Sequence, residues 1–150
     1  MMRKEEKMED LESVYTDIIM EQSMATYNKH KLEEKDKEEH GHNPSCGDDI
    51  TLEIKYDGNR IKDLAFTGHG CAISQASTSI MIDLLKGKTK EEALKLIETF
   101  TKMIKREEVK EEDLELLEDA NALKNISNMP ARVKCALLAW HTLEDMIEKK

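Results

Sequence analysis

Cysteine, proline and aromatic side chains are scarce in this chain. Its 150 residues include three cysteines, two prolines, one tryptophan, three tyrosines and two phenylalanines. Three cysteines cannot all pair within one chain, so a full disulfide framework is excluded, and the charged segment Met1 to Asp10 lacks an apolar run of signal length. The expected compartment is a reducing cytoplasm, where thiols serve metal binding or catalysis more often than cross-linking. No membrane association is expected. With 39% hydrophobic against 37% charged residues and so few aromatics, the core should be small and built from aliphatic side chains and methionine. A single domain over 1–150 is the economical reading.

Positive charge is also in deficit, with 23 Lys and Arg against 32 Asp and Glu, a formal net charge of -9. Nucleic-acid affinity rests on neutralising phosphates, so no nucleic-acid partner is expected. Protein partners fit better, and a basic partner surface would be steered towards this one.

What is present is periodicity. Met8, Leu11, Val14, Tyr15, Ile18 and Ile19 fall at helical spacing and predict an amphipathic helix over 7–22. Residues 29–42 hold one aliphatic side chain, Leu32, and read as a flexible charged loop. The alternation over Ile50 to Tyr56, the Asp57-Gly58 turn and the stretch Arg60 to Phe66 predict a hairpin with one buried face. A small-residue helix follows from Cys71 to about Lys86, and Thr89 with Glu92 predicts a capping box for the next, with Ala93, Leu96, Ile97, Phe100 and Ile104 inward. A short helix near Glu112 to Leu117 breaks the acidic stretch 105–129. The last helix starts at Pro130 and turns Val133, Leu137, Trp140 and Ile147 inward, with His141 on the same core pattern.

The three cysteines sit at turns or helix starts, where a thiolate is most easily stabilised: Asn43-Pro-Ser-Cys46-Gly-Asp48, Gly68-His-Gly-Cys71, and Cys135 in the first turns of the last helix. Antiparallel pairing of the hairpin brings its outer ends together, so Cys46 and Cys71, 25 residues apart in sequence, can be neighbours in space. Three thiolates plus the nearby Asp48 make a donor set that suits tetrahedral zinc. Without a CxxC knuckle, spacing leaves this reading open beside a plainer one, three separate small hydrophobic side chains. His69, flanked by glycines, reads as a solvated loop residue, and so do His30, His40 and His42 in the charged tract.

Three blocks also resemble a known family. Asn-Pro-Ser-Cys46-Gly-Asp48, Gly-His-Gly-Cys71-Ala-Ile-Ser-Gln-Ala-Ser and Pro-Ala-Arg132-Val-Lys134-Cys135-Ala-Leu-Leu-Ala-Trp140 look like the signature blocks of the IscU/NifU N-terminal family of iron-sulfur assembly proteins, in the right order. The resemblance spans about Asp10 to Lys149. Within it the chain is most similar to the SufU branch, because of the long stretch containing Glu118 to Ser127 and because Lys134 stands where scaffold-type members carry histidine.

The resemblance implies an α+β fold, a small antiparallel sheet of about three strands packed against several helices. It implies one zinc ion on Cys46, Asp48, Cys71 and Cys135, acceptance of sulfane sulfur by Cys46 from a SufS-type cysteine desulfurase, and a partner contact through Arg132. Downstream iron-sulfur assembly proteins would take the sulfur. Two other functions share the donors: a scaffold for a labile [2Fe-2S] cluster, and a purely structural zinc module. The chain departs from the family at Glu21-Gln-Ser-Met-Ala-Thr-Tyr27-Asn28, which replaces a tract that borders the partner surface in other members.

Overall fold

The computed structural model of the protein describes residues 15–149. Helix α1 occupies 15–24 of these, and its Ile18 and Ile19 pack on the core, while Met8, Leu11 and Val14 of the expected first helix lie outside the described residues. Three strands follow, β1 (Lys37–Asn43), β2 (Asp48–Asp57) and β3 (Arg60–His69), joined antiparallel in sequence order.

The β2/β3 hairpin forms where the alternation predicts it, turning at Gly58 with φ 60°. Ile50, Leu52 and Ile54 point inward and are fully buried. A bulge at Lys55/Tyr56 resets the alternation, so Ile61, Leu64 and Phe66 of β3 also reach the core.

The stretch 29–42 corrects the sequence reading. It is not a free loop: Lys37–Asn43 is the edge strand β1, and only 30–36 is irregular. The strand has no aliphatic side chain to announce it, and its stability comes from elsewhere. Its backbone pairs with β2, Lys37 Nζ donates to the Met146 carbonyl at 3.0 Å, and Lys149 Nζ reaches Glu39 Oε1 at 2.8 Å. Gly41 lets the last helix lie against the strand, since a Cβ there would strike Thr142 Oγ1. The segment before β1 is pinned as well: the Asn28 carbonyl accepts from Phe66 N at 3.0 Å, and its buried amide donates to Ser79 Oγ and Asp83 Oδ1 at 3.0 and 2.9 Å.

Helices α2 (Ala72–Leu85) and α5 (Pro130–Glu148) lie against the sheet and each other. Small residues on α2 permit the approach, and Ser77 Oγ stitches the pair, donating to the Ala136 carbonyl at 2.6 Å and accepting from Trp140 Nε1 at 2.9 Å. Helix α3 (Lys90–Ile104) starts with the predicted Thr89/Glu92 capping box and buries its predicted stripe. Its Phe100 stacks on Trp140 with ring centroids 3.8 Å apart. The short α4 (Glu111–Glu115) leads into a 3-10 helix, Glu118–Asn128, which caps the core with Ala120, Ala122, Leu123 and Ile126. His141 does not follow the core pattern: it is exposed while Trp140 is fully buried. The architecture is therefore α+β, a three-stranded antiparallel sheet packed against several helices.

Candidate metal centre

Three segments of the chain meet at one corner of the sheet. Cys46 lies in the turn between β1 and β2, held by Cys46 N to the Asn43 carbonyl at 3.3 Å, with Gly47 at φ 69° supplying the left-handed step. Asp48 opens β2 and is fully buried. Cys71 is the N-cap of α2, immediately beyond β3, and Cys135 sits buried in the first turns of α5.

The ligand atoms of Cys46, Asp48 and Cys135 lie within 4.8 Å of one another, the only such group among the described residues. Cys71 is adjacent but outside that trio. Its backbone N–H donates to Asp48 Oδ1 at 3.0 Å, while its sulfur accepts from Ser74 N at 3.5 Å as the helix cap. Space for the carboxylate depends on Gly70, where a Cβ would come within 2.6 Å of Asp48 Oδ1.

Asn43 completes the corner, and the sequence reading passed it by. Its side-chain amide reaches both Asp48 Oδ2 at 3.4 Å and Cys135 Sγ at 3.7 Å. No local signal marks it: Asn43 becomes the strand partner of Asp48 only once β1 pairs with β2 across the Cys46 turn. Ser74 was also passed by, and its buried hydroxyl has no partner among the described residues.

The electrostatics favour a cation. Burial pushes the Cys135 thiol up, reinforced by hydrogen bonding with Cys46, Asp48 and Cys71. No described lysine or arginine forms a salt bridge with the buried Asp48 carboxylate. A divalent ion would supply that missing countercharge and hold the thiols deprotonated, so these residues fit a zinc-type centre in their donor chemistry.

Arg132, in the first turn of α5, borders the same corner. Its Nη1 lies 3.7 Å from Cys46 Sγ, whose thiol donates to the Ala131 carbonyl at 3.6 Å. Cys135 above all, with Cys71 and Cys46, raises the Arg132 pKa. Lys134 is exposed and lines the cleft between β1 and α5 with His40, His42 and His141. His69 is exposed at the end of β3 and is not among the gathered donors. On the outer sheet face, a hydrogen bond from His40 is the main cause that lowers the Asp49 pKa, with His42 and His69 adding to it.

Fold and corner together define a small sheet-and-helix protein with a thiol-carboxylate centre. The chain belongs to the NifU-like N-terminal domain family, which matches residues 14–149. It is 39% identical over 136 residues to the iron-sulfur cluster assembly scaffold protein IscU of Thermotoga maritima, covering 91% of this chain and 94% of that one. It is 38% identical over 141 residues to the zinc-dependent sulfurtransferase SufU of Bacillus subtilis, covering 94% of each. A crystal structure of a SufU from Fervidobacterium islandicum AW-1, described as a putative scaffold for the SUF system, superposes with a TM-score of 0.84 at 42% identity, covering 91% of this chain and 98% of that one. Among the described residues no helix is long and apolar enough to cross a membrane.

Proposed function

We propose that this chain acts in iron-sulfur cluster assembly as a zinc-dependent sulfurtransferase, with Cys46 accepting persulfide sulfur from a SufS-type cysteine desulfurase. The reading makes 1–150 one domain working in the cytoplasm. The observation that carries it is the setting of Cys46. Alone of the three cysteines it lies on a turn hinged by a left-handed glycine, and the Arg132 guanidinium stands 3.7 Å from its sulfur.

Cys46, Asp48, Cys71 and Cys135 would hold the zinc, Cys71 joining the gathered trio by releasing its cap on Ser74. When bound, zinc keeps the thiols deprotonated near neutral pH and tempers their reactivity. The turn at Gly47 lets Cys46 swing outward, and the Arg132 guanidinium lies 3.7 Å from its sulfur. That thiolate attacks the terminal sulfur of the partner's cysteine persulfide. The sulfur-sulfur bond to the partner cysteine breaks, its thiolate leaves with the bonding pair, and the new sulfur-sulfur bond leaves a persulfide on Cys46. No external oxidant is consumed. Arg132 also borders the surface where the desulfurase would dock, and downstream assembly proteins or a thiol reductant take the sulfur on.

A second reading is supported by the scaffold name of the Thermotoga relative and by the oxygen donor at Asp48. On it, the same residues carry a [2Fe-2S] cluster as cargo, and the single carboxylate makes release easier. The deciding measurement is multiple-turnover activity of a SufS-type desulfurase with thiol reductant, on adding the zinc-loaded protein and following zinc occupancy. Acceleration with zinc retained supports sulfur transfer; no acceleration, with iron and sulfide taken up in place of zinc, supports the scaffold.

A further inference from the structure

The open face of the sheet, beside the cysteine corner, carries a second set of donors that the thiol centre leaves unused. On β1, His40 and His42 are two residues apart, so both side chains project from the same face, while Gly41 and Asn43 between and beyond them turn inward and are buried. Asp49 on β2 is the direct strand partner of His42, and on its other side it partners His69 of β3. Directly opposed side chains have Cβ atoms roughly 5 Å apart. Two imidazoles therefore flank one carboxylate across three strands, and a third imidazole stands on the diagonal.

Contact has already begun on that diagonal. His40 Nε2 lies 2.6 Å from Asp49 Oδ1, and the His40 and His42 rings stack with centroids 6.2 Å apart. His40 is 55% and Asp49 42% exposed, so rotation about the side-chain torsions meets no core packing. Imidazole and carboxylate donors without thiolate suit a divalent first-row transition ion, and strand-borne histidines at this spacing leave coordination positions open to water or an incoming ligand.

The geometry points to a surface site for a divalent first-row transition ion on His40, His42, Asp49 and His69, distinct from the thiol centre. Asp49 directly follows Asp48 on β2, so the two carboxylates face opposite sides of the sheet, and the surface site lies at the same strand end as the thiol centre but on the other face. The site is independent of which cargo the thiols carry.

The test is titration of the full-length, zinc-loaded protein with Co2+, read by calorimetry and visible absorption, on wild type, His40→Ala/His42→Ala and the control His30→Ala, whose histidine lies outside the cluster. Wild type and control should bind one further equivalent whose absorption lacks thiolate charge transfer. In the double variant that equivalent should weaken by more than about tenfold, with the resident zinc retained as proof of folding. Three results would each overturn the site: no second equivalent in wild type, thiolate charge-transfer absorption from the added Co2+, or binding unchanged in His40→Ala/His42→Ala.

Discussion

At the scale of single residues, the centre depends on positions that provide no ligand. Gly70 leaves room for the Asp48 carboxylate, because a Cβ there would stand 2.6 Å from Oδ1. Gly70→Ala should therefore displace the carboxylate and weaken zinc binding by at least about tenfold, as loss of outer-shell support does, measured by competition with a chromophoric chelator. Cys46→Ser should abolish stimulation of the desulfurase while leaving the far-ultraviolet circular dichroism and melting temperature of the metal-free protein near those of metal-free wild type, since the turn it occupies contributes little to the core. Transfer retained in that variant would remove Cys46 as the acceptor. The charge of Asp48 and the three thiols were legible as candidate donors from residue type alone. Asn43 was not, because an amide bridging two donors has no signature until its strand is paired.

At the scale of elements, local signals and long-range contacts divide the chain. The α3 helix was legible because its start is chemically local: Thr89 Oγ1 accepts from Glu92 N at 3.1 Å and Glu92 Oε1 from Thr89 N at 3.0 Å. Thr89→Ala should cost about 1 kcal/mol of stability in urea unfolding, with zinc affinity unchanged because α3 carries no donor. The β1 strand is the opposite case, a run of charged and histidine residues whose conformation is set by β2 and α5. Gly41→Ala forces a Cβ against Thr142 Oγ1 and Leu138 and should cost about 1 to 3 kcal/mol. It should also lower zinc occupancy, because α5 carries Cys135. A Gly41→Ala protein with wild-type stability would mean that α5 does not rest on β1 as described.

At the scale of the whole molecule, the centre ties together elements far apart in sequence: the β1/β2 turn, the start of α2 and the start of α5. Removing the metal should therefore loosen the molecule globally. Metal-free wild type should melt below the zinc-loaded form in a thermal unfolding scan, since binding to the folded state alone is stabilising; equal melting temperatures would show that the metal does not tie these elements together.

The sequence by itself determined the hairpin, the helices with capping or periodic stripes, and the types of donor available, because alternation, caps and side-chain chemistry are properties of neighbouring residues. It also carried the family resemblance that the match over residues 14–149 bears out. Only the tertiary structure decided that 37–43 is a strand, that His141 faces solvent, and that Cys46, Asp48 and Cys135 converge while Cys71 caps a helix beside them. Those facts depend on backbone pairing and helix packing between segments as much as 92 residues apart, where a side chain's environment is made by partners that its own neighbourhood does not encode.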